Sequence, residues 1–222
     1  SELNLERLQR KLPPGFVLSA GDQKLLIARR EWLSPIRTIL ASSSRSDRQG
    51  SGPVGNLKGR GDMPVYSTSR GQLVFRHYFH GGMFRHLTRD LWAGVNRPLT
   101  ELKMTVEAAR CGLPVPEPAG LLLEPVLGGL FRADFITVLI PDAIDLLTYL
   151  SGLKTPLSPR ARTEKRMVVA AAARQIRKMH EKGFSHADLQ LKNIVIGPRK
   201  KGVSPPVFLL DFDRASRDNR VR

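Results

Sequence analysis

The sequence predicts an α+β protein of two lobes, divided near Pro141. Strand-like runs with a single helix fill the chain up to residue 140, and helix-rich sequence follows. Pro141 ends the last of those strands. The 222 residues, 41% hydrophobic, are enough to bury a core in two coupled lobes. The expected architecture is an antiparallel sheet with one helix in an N-terminal lobe, residues 1–140. A small, mostly helical C-terminal lobe follows, residues 141–222.

Each element has a local reason. Ten of the twenty residues from 42 to 61 are Ser or Gly, without apolar periodicity, which predicts a flexible loop. Residues 63–67 and 73–79 read as strands about a Ser69-Arg70-Gly71 turn, and Gly81-Gly82 breaks the second. Pro98 opens a helix, because its missing N–H would be unpaired in the first turn anyway. That helix runs to Cys111, and Gly112 stops it. Leu102, Val106 and Ala109 form its apolar stripe, and Glu101 lies about 100° to one side. Residues 120–127 and 130–140 pair about Gly128-Gly129.

Beyond Pro141, residues 145–150 predict a short helix and 163–182 a long one. The long helix presents Val169, Ala173, Ile176 and His180 on one face, and Gly183 ends it. Residues 193–196 and 207–212 are short strands about a loop at 197–206. Residues 1–58 carry no motif.

Charge is unevenly placed. The chain has 36 Lys and Arg against 20 Asp and Glu, a formal charge of +16. Residues 141–222 carry 17 basic and 8 acidic groups, whereas 62–140 carry 8 and 7. A basic terminal part beside a neutral middle points to an anionic partner: nucleic acid, lipid headgroups or a phosphorylated substrate. Cys111 is the single cysteine, which excludes a disulfide framework and a Cys-rich zinc site and favours a reducing compartment. No apolar run approaches the ~18 residues of a membrane span. The first residues lack the apolar core of a signal peptide. A soluble intracellular protein is expected.

Chemistry concentrates in His186-Ala187-Asp188-Leu189-Gln190-Leu191-Lys192-Asn193, which follows the long helix. Leu210-Asp211-Phe212-Asp213 comes downstream, at the end of an apolar strand. The pattern H-x-D-L-x-x-x-N followed by D-F-x is that of protein kinases. In that chemistry Asp188 accepts or orients the proton of an acceptor hydroxyl. Asn193 and Asp211 hold magnesium that bridges the ATP phosphates, a hard cation that wants oxygen ligands. Upstream, Arg76 falls where kinases place a strand lysine, and Val74, Arg76 and Tyr78 share one face of that strand. Glu101 is its expected ion-pair partner. Gly59 and Gly61 are expected in the loop over the phosphates, where glycine lets backbone approach closely. His186 is expected to pack beneath the Asp-Phe-Asp turn rather than move protons. His77, His80, His86 and His180 lack metal-ligand spacing and read as structural or surface residues. Asp213 stands where kinases have glycine, as a further metal ligand or the partner of a basic neighbour.

Five stretches together resemble the lipopolysaccharide kinase family, which includes kinases of 3-deoxy-D-manno-octulosonic acid (Kdo). They are RHYFHGGMFRHLTRDLW at 76–92, RPLTELKMTVEAARCGLPVPEP at 97–118, FRADFITVLIP at 131–141, HADLQLKN at 186–193 and LLDFDRA at 209–215. The resemblance implies a protein-kinase-like fold and ATP-dependent phosphorylation. The implied acceptor is a Kdo hydroxyl on a lipid A precursor, at the cytoplasmic face of a Gram-negative inner membrane. It implies for Arg76, Glu101, Asp188, Asn193 and Asp211 the roles above, and gives the basic C-terminal part an anionic membrane surface to meet. A kinase-like enzyme with a heptose, protein or small-molecule acceptor stays open. So does a basic nucleic-acid-binding module with a degenerate site, although the intact Asp188, Asn193 and Asp211 argue against a nucleic-acid partner.

Overall fold

The computed structural model describes residues 5–21, 24–42, 55–59, 61–78, 91–126, 129–198, 200 and 202–218. They form two compact units. The first comprises residues 1–103 and 117–139, the second 104–116 and 140–222. Of the three boundaries, the one between residues 139 and 140 lies one residue from the expected division. The structure also assigns residues 104–116, which the sequence division left in the N-terminal lobe, to the second unit.

The first unit begins with a one-turn helix α1 (Leu5–Gln9), strands β1 (Phe16–Gly21) and β2 (Lys24–Arg29), and helix α2 (Arg30–Ser42). Then come β3 (Gly55–Gly59), β4 (Gly61–Thr68), β5 (Gly71–His77), the two-residue β6 (Trp92–Ala93) and helix α3 (Asn96–Arg110). The last two strands are β7 (Pro118–Pro125) and β8 (Leu130–Val138). They make an antiparallel sheet in the order β1-β2-β7-β8-β5-β4-β3, with β6 also on β8.

Two expectations change here. The lobe has more than one helix, because α2 packs Trp32, Ile36 and Ile39 against Leu26, Ala28, Leu73, Phe75, Leu122 and Ile136 on one face of the sheet. Those α2 positions recur at helical spacing, and Trp32 Nε1–H also donates to Glu117 at 3.0 Å. The expected loop at 42–61 is partly ordered: Ser42 ends α2, and residues 55–59 and 61 are strand, paired in register from Gly55↔Val65 to Gly59↔Gly61. Residues 43–54 and Gly81-Gly82 lie outside the described residues. The opposite sheet face presents Val74, Arg76 and Tyr78, with Phe135 directly across from Arg76.

The second unit holds the end of α3, helices α4 (Leu146–Ser151) and α5 (Pro159–Glu181), and five short strands. Strands β9 (Ile144–Asp145), β11 (Ile194–Ile196) and β12 (Val207–Leu209) form one sheet. Strands β10 (Phe184–His186) and β13 (Ala215–Arg217) form another. Both helices start at capped ends. Asp145 Oδ1 accepts from the Thr148 N–H at 2.8 Å, and Ser158 Oγ from the Ala161 N–H at 3.2 Å, with Pro159 in the first turn. Gly183, at φ +78°, turns the chain out of α5 in the left-handed region where a side chain would be strained.

The buried face of α5 is Val168, Ala171, Ala172 and Met179, one residue out of phase with the expected face. Val169, Ala173 and His180 are exposed and Ile176 half-buried. The run of alanines lets several stripes look equally apolar. Phe184, Ile196, Leu209 and Phe212 complete a core that Met179 enters.

Close approach in the sheet makes one glycine irreplaceable. A Cβ on Gly120 in β7 would lie 2.7 Å from the Ile27 carbonyl oxygen and 3.4 Å from the Ala28 Cα, both backbone atoms of β2. Gly120→Ala must therefore spread two paired strands. It is expected to cost about 1–3 kcal/mol, seen as a lower urea midpoint with an unchanged slope. An unchanged midpoint would contradict the strand spacing.

Candidate active site

In the first unit the site centres on a carboxylate that folding removes from water. Glu101 on α3 is 1% exposed. A lone charge there would be costly, so it needs donors. Arg76 of β5 donates to Oε1, and the Tyr78 hydroxyl donates to Oε2. The Arg76 guanidinium lies 5.0 Å from the Tyr78 ring centroid and 5.5 Å from that of Phe135. Helix α3 turns a broad face inward, including Leu99, Glu101, Leu102, Thr105, Val106 and Ala108, which is why a residue beside the apolar stripe is buried. Further along α3, burial and the neighbouring Lys11 cation hold the Lys103 amine below the usual lysine range. On the other sheet face His77 Nδ1 meets Asp134 Oδ1 at 2.6 Å, so His77 has a structural partner. His80 and His86 lie outside the described residues. Gly59 and Gly61 end and begin the paired strands β3 and β4, at the tip of a hairpin.

In the second unit His186 ends β10 and points into the core. Its Nε2–H donates to the Leu210 carbonyl at 2.8 Å, which fixes the tautomer because that oxygen can only accept. Its ring meets Phe212 edge-on at 5.2 Å, and Phe212 meets Phe184 in the same manner at 6.3 Å. The chain then passes through Asp188 into a 3-10 turn, Leu191–Asn193. Asn193, 5% exposed, closes this loop: its Nδ2 donates to the Asp188 carbonyl at 2.8 Å. That leaves Oδ1 as its oxygen for a cation. The Asn193 carbonyl in turn accepts from the Leu210 N–H at 2.9 Å, which sets Asp211 one residue beyond Asn193's partner. Asp211 adopts φ +68°, ψ +62°, a left-handed conformation that Asp tolerates better than most residues. An amide oxygen and a carboxylate thus share the end of the β11–β12 hairpin, a donor set suited to a hard, oxygen-seeking cation. Asp213 lies in the 3-10 turn Phe212–Arg214.

The structure therefore joins Arg76 to Glu101 in one unit, and Asp188 and Asn193 to the strand entering Asp211 in the other. Three contacts were not read from the sequence. The Tyr78 hydroxyl reaches Glu101, although alternation along β5 already put Tyr78 on the face of Arg76. Gln190 donates to the Asp188 carboxylate, and its only signal was a spacing of two residues. Arg217 pairs with Glu107 and lies over the Phe184 ring at 5.2 Å, a contact across 110 residues that leaves no local trace.

The family description "Lipopolysaccharide kinase (Kdo/WaaP) family" matches residues 45–222. The chain belongs to that family. Among curated relatives, 3-deoxy-D-manno-octulosonic acid kinase of Vibrio parahaemolyticus is 31% identical over 166 residues, 72% of this chain and 63% of that protein. The Vibrio cholerae protein of the same name is 28% identical over 72% of this chain and 64% of its own length. The chain thus spans just under two thirds of these two relatives. A solved structure of WaaP in complex with acyl carrier protein superposes with a TM-score of 0.52 at 17% identity, covering 87% of this chain and 73% of that one. The fold is α+β and kinase-like, as this family has it.

Removing the His186 ring tests the core beneath the Asp211 turn. His186→Ala deletes the donor to the Leu210 carbonyl and leaves a cavity beside Phe212. A loss of about 1–3 kcal/mol is expected for the unpaired carbonyl alone, measured by chemical denaturation. Wild-type stability would show that this hydrogen bond does not hold the turn.

Proposed function

We propose that the chain is an ATP-dependent kinase that phosphorylates a Kdo hydroxyl on a lipid A precursor. The observation that carries this is the loop from His186 to Asn193, fastened to the strand that delivers Asp211, in a member of the lipopolysaccharide kinase family. The names of the relatives supply the acceptor class. Bound ATP with magnesium supplies the phosphoryl group and offsets its charge.

The chain's own residues do the rest. Asp188 accepts the proton of the attacking hydroxyl and orients it, with Gln190 steadying the carboxylate. Asn193 and Asp211 offer oxygens to the metal. Arg76, held by Glu101, directs N–H groups at phosphate oxygens. Gly59 and Gly61 let the hairpin backbone approach the phosphates without side chains in the way.

Asp188→Asn is expected to lower transfer to Kdo–lipid A by ~10²–10⁴-fold while magnesium-dependent ATP binding persists. Asp211→Ala should lose that binding. Phosphate transfer from labelled ATP, measured with Kdo–lipid A, a heptosylated core and protein as acceptors, reads out both activity and acceptor. Near wild-type turnover by Asp188→Asn would remove the assigned base, and transfer to protein alone would remove the sugar acceptor.

The acceptor is a lipid, and no described helix is long and apolar enough to cross a membrane. We therefore place an anionic membrane surface against α5. Arg162, Arg166 and Arg177 lie at i, i+4 and i+15, on the side of the helix opposite Val168, Ala172 and Met179, with exposed Val169 among them. Lys178 donates to the Gly112 carbonyl at 2.6 Å and Arg174 to Ser204 Oγ at 2.7 Å; Arg162 likewise donates to the Leu157 carbonyl at 3.2 Å and Arg177 to Glu181 Oε1 at 2.7 Å, though both stay exposed. Each cation near an anionic surface contributes about 1 kcal/mol, and salt screens it over about 8 Å. Co-sedimentation with vesicles containing anionic lipid should fall at high salt and with alanine at all three arginines. Binding that ignores lipid charge, or survives the substitutions, would leave α5 a solvated face.

A further inference from the structure

We infer that Lys192 is a specificity-determining residue for the acceptor: its ammonium pairs with the carboxylate of the sugar acid whose hydroxyl meets Asp188. The inference deepens the proposed function and rests on it.

The proposed reaction gathers negative charge around one loop. Asp188 is the assigned base, the nucleotide brings phosphates, and Kdo is itself an acid, ionised near neutral pH. Magnesium at Asn193 and Asp211 would offset the phosphates. An acceptor carboxylate carried up to Asp188 without a cation of its own would be repelled, at a cost that grows as water leaves the site. A positive group close to Asp188 removes that cost. From residue 184 to residue 198 the sequence holds a single Lys or Arg, and it is Lys192.

Local structure turns this cation outward. Lys192 lies in the 3-10 turn Leu191–Asn193, four residues past Asp188. With three residues per turn, successive side chains there diverge by about 120°. Asn193 takes the inward direction: it is 5% exposed, with Nδ2 on the Asp188 carbonyl at 2.8 Å. The same bond folds the turn back on Asp188, and the Asn193 N–H tightens it by donating to the Gln190 carbonyl at 2.8 Å. Lys192 and Leu191 are left exposed. Helix α4 packs against this turn, and its Leu147 is exposed as well. Exposed leucines and an ammonium beside the base suit an acidic glycolipid better than a neutral sugar.

The ammonium is also uncommitted. Asp188 accepts from Gln190, and Asp145 at the start of α4 accepts from the Thr148 N–H and hydroxyl. Neither meets Lys192, whose ammonium has no hydrogen bond or ion pair among the described residues. Elsewhere in this unit cations are engaged by the protein itself: Arg160 by Glu164, Arg177 by Glu181 and Arg217 by Glu107. A long flexible stem lets the Lys192 ammonium follow a carboxylate whose distance from the reacting hydroxyl is set by the sugar ring.

Lys192→Met removes the charge and keeps an unbranched stem at an exposed position, and thermal denaturation checks that the fold is unchanged. Two acceptors are compared: Kdo–lipid A, and the same glycolipid with its Kdo carboxylate converted to the methyl ester. Lys192→Met is expected to lower kcat/KM for Kdo–lipid A about ten- to hundred-fold, the loss of one hydrogen bond between charged groups. KM for ATP should stay within about two-fold. The wild-type chain should lose a similar factor on the ester. Lys192→Met should then cost less than about two-fold more, because the pair is already broken. Lys192→Arg should recover most of the rate on Kdo–lipid A, and Lys192→Glu should fall below Lys192→Met. An equal loss on both acceptors would assign the ammonium to lipid A phosphates and overturn the pairing. So would wild-type kinetics in Lys192→Met, or a change confined to KM for ATP. Wild-type transfer to neither acceptor would overturn the proposed function, and this inference with it.

Discussion

A charge buried at Glu101 constrains the first unit. A carboxylate almost wholly removed from water must be met by donors, and those donors are Arg76 in β5, 25 residues earlier in the chain, and Tyr78 just past the end of that strand. Meeting that requirement fixes the rotation of α3, because only one orientation brings Glu101 to Arg76 while burying Leu99, Leu102 and Val106. It also fixes the register of β5 on β8, since a slip of one residue would send Arg76 to the face covered by α2. The alternation that puts Leu73 and Phe75 into the α2 core is the same one that puts Val74, Arg76 and Tyr78 at the site.

The second unit solves a different problem. Its loop from Ala187 to Gln190 has little regular structure, yet it must hold a carboxylate in place. It does so through backbone atoms: the Asn193 side chain grips the Asp188 carbonyl, the Asn193 carbonyl grips the Leu210 N–H, and His186 grips the Leu210 carbonyl. Phe212 wedges between His186 and Phe184 and ties these bonds to the core. Asp211 can then occupy a left-handed conformation, because the residues on either side are fastened.

Much of this was legible in the chain. Proline and glycine punctuation located α3, the β7–β8 hairpin and the end of α5, because such residues act through local backbone sterics. Motif spacing singled out Asp188 and Asn193, five residues apart, and the loop between them is closed by the Asn193 side chain on the Asp188 carbonyl. The first 58 residues were not legible. Pro35 within α2 interrupts the helix signal, and β1 and β2 are short, with a mixed pattern. Only tertiary packing reveals that Trp32, Ile36 and Ile39 face a sheet. The phase of α5 was misread by one residue because alanine carries too little apolar area to define a stripe. The Glu107–Arg217 pair was invisible for the reason that most long-range contacts are: nothing local requires it.

The placement of α2 has a practical corollary for anyone who prepares this protein. Family similarity begins at residue 45, after β1, β2 and α2 have ended. Yet β2 lies between β1 and β7 in the sheet, and α2 covers Leu73, Phe75 and Ile136 on the opposite side of β5 and β8 from Arg76. A chain trimmed to the matched region would keep the residues proposed for chemistry. It would also bare an apolar sheet face and an unpaired edge on β7, the combination that drives strands of neighbouring molecules together. The boundary of shared ancestry and the boundary of independent folding therefore differ in this molecule, and expression should respect the second.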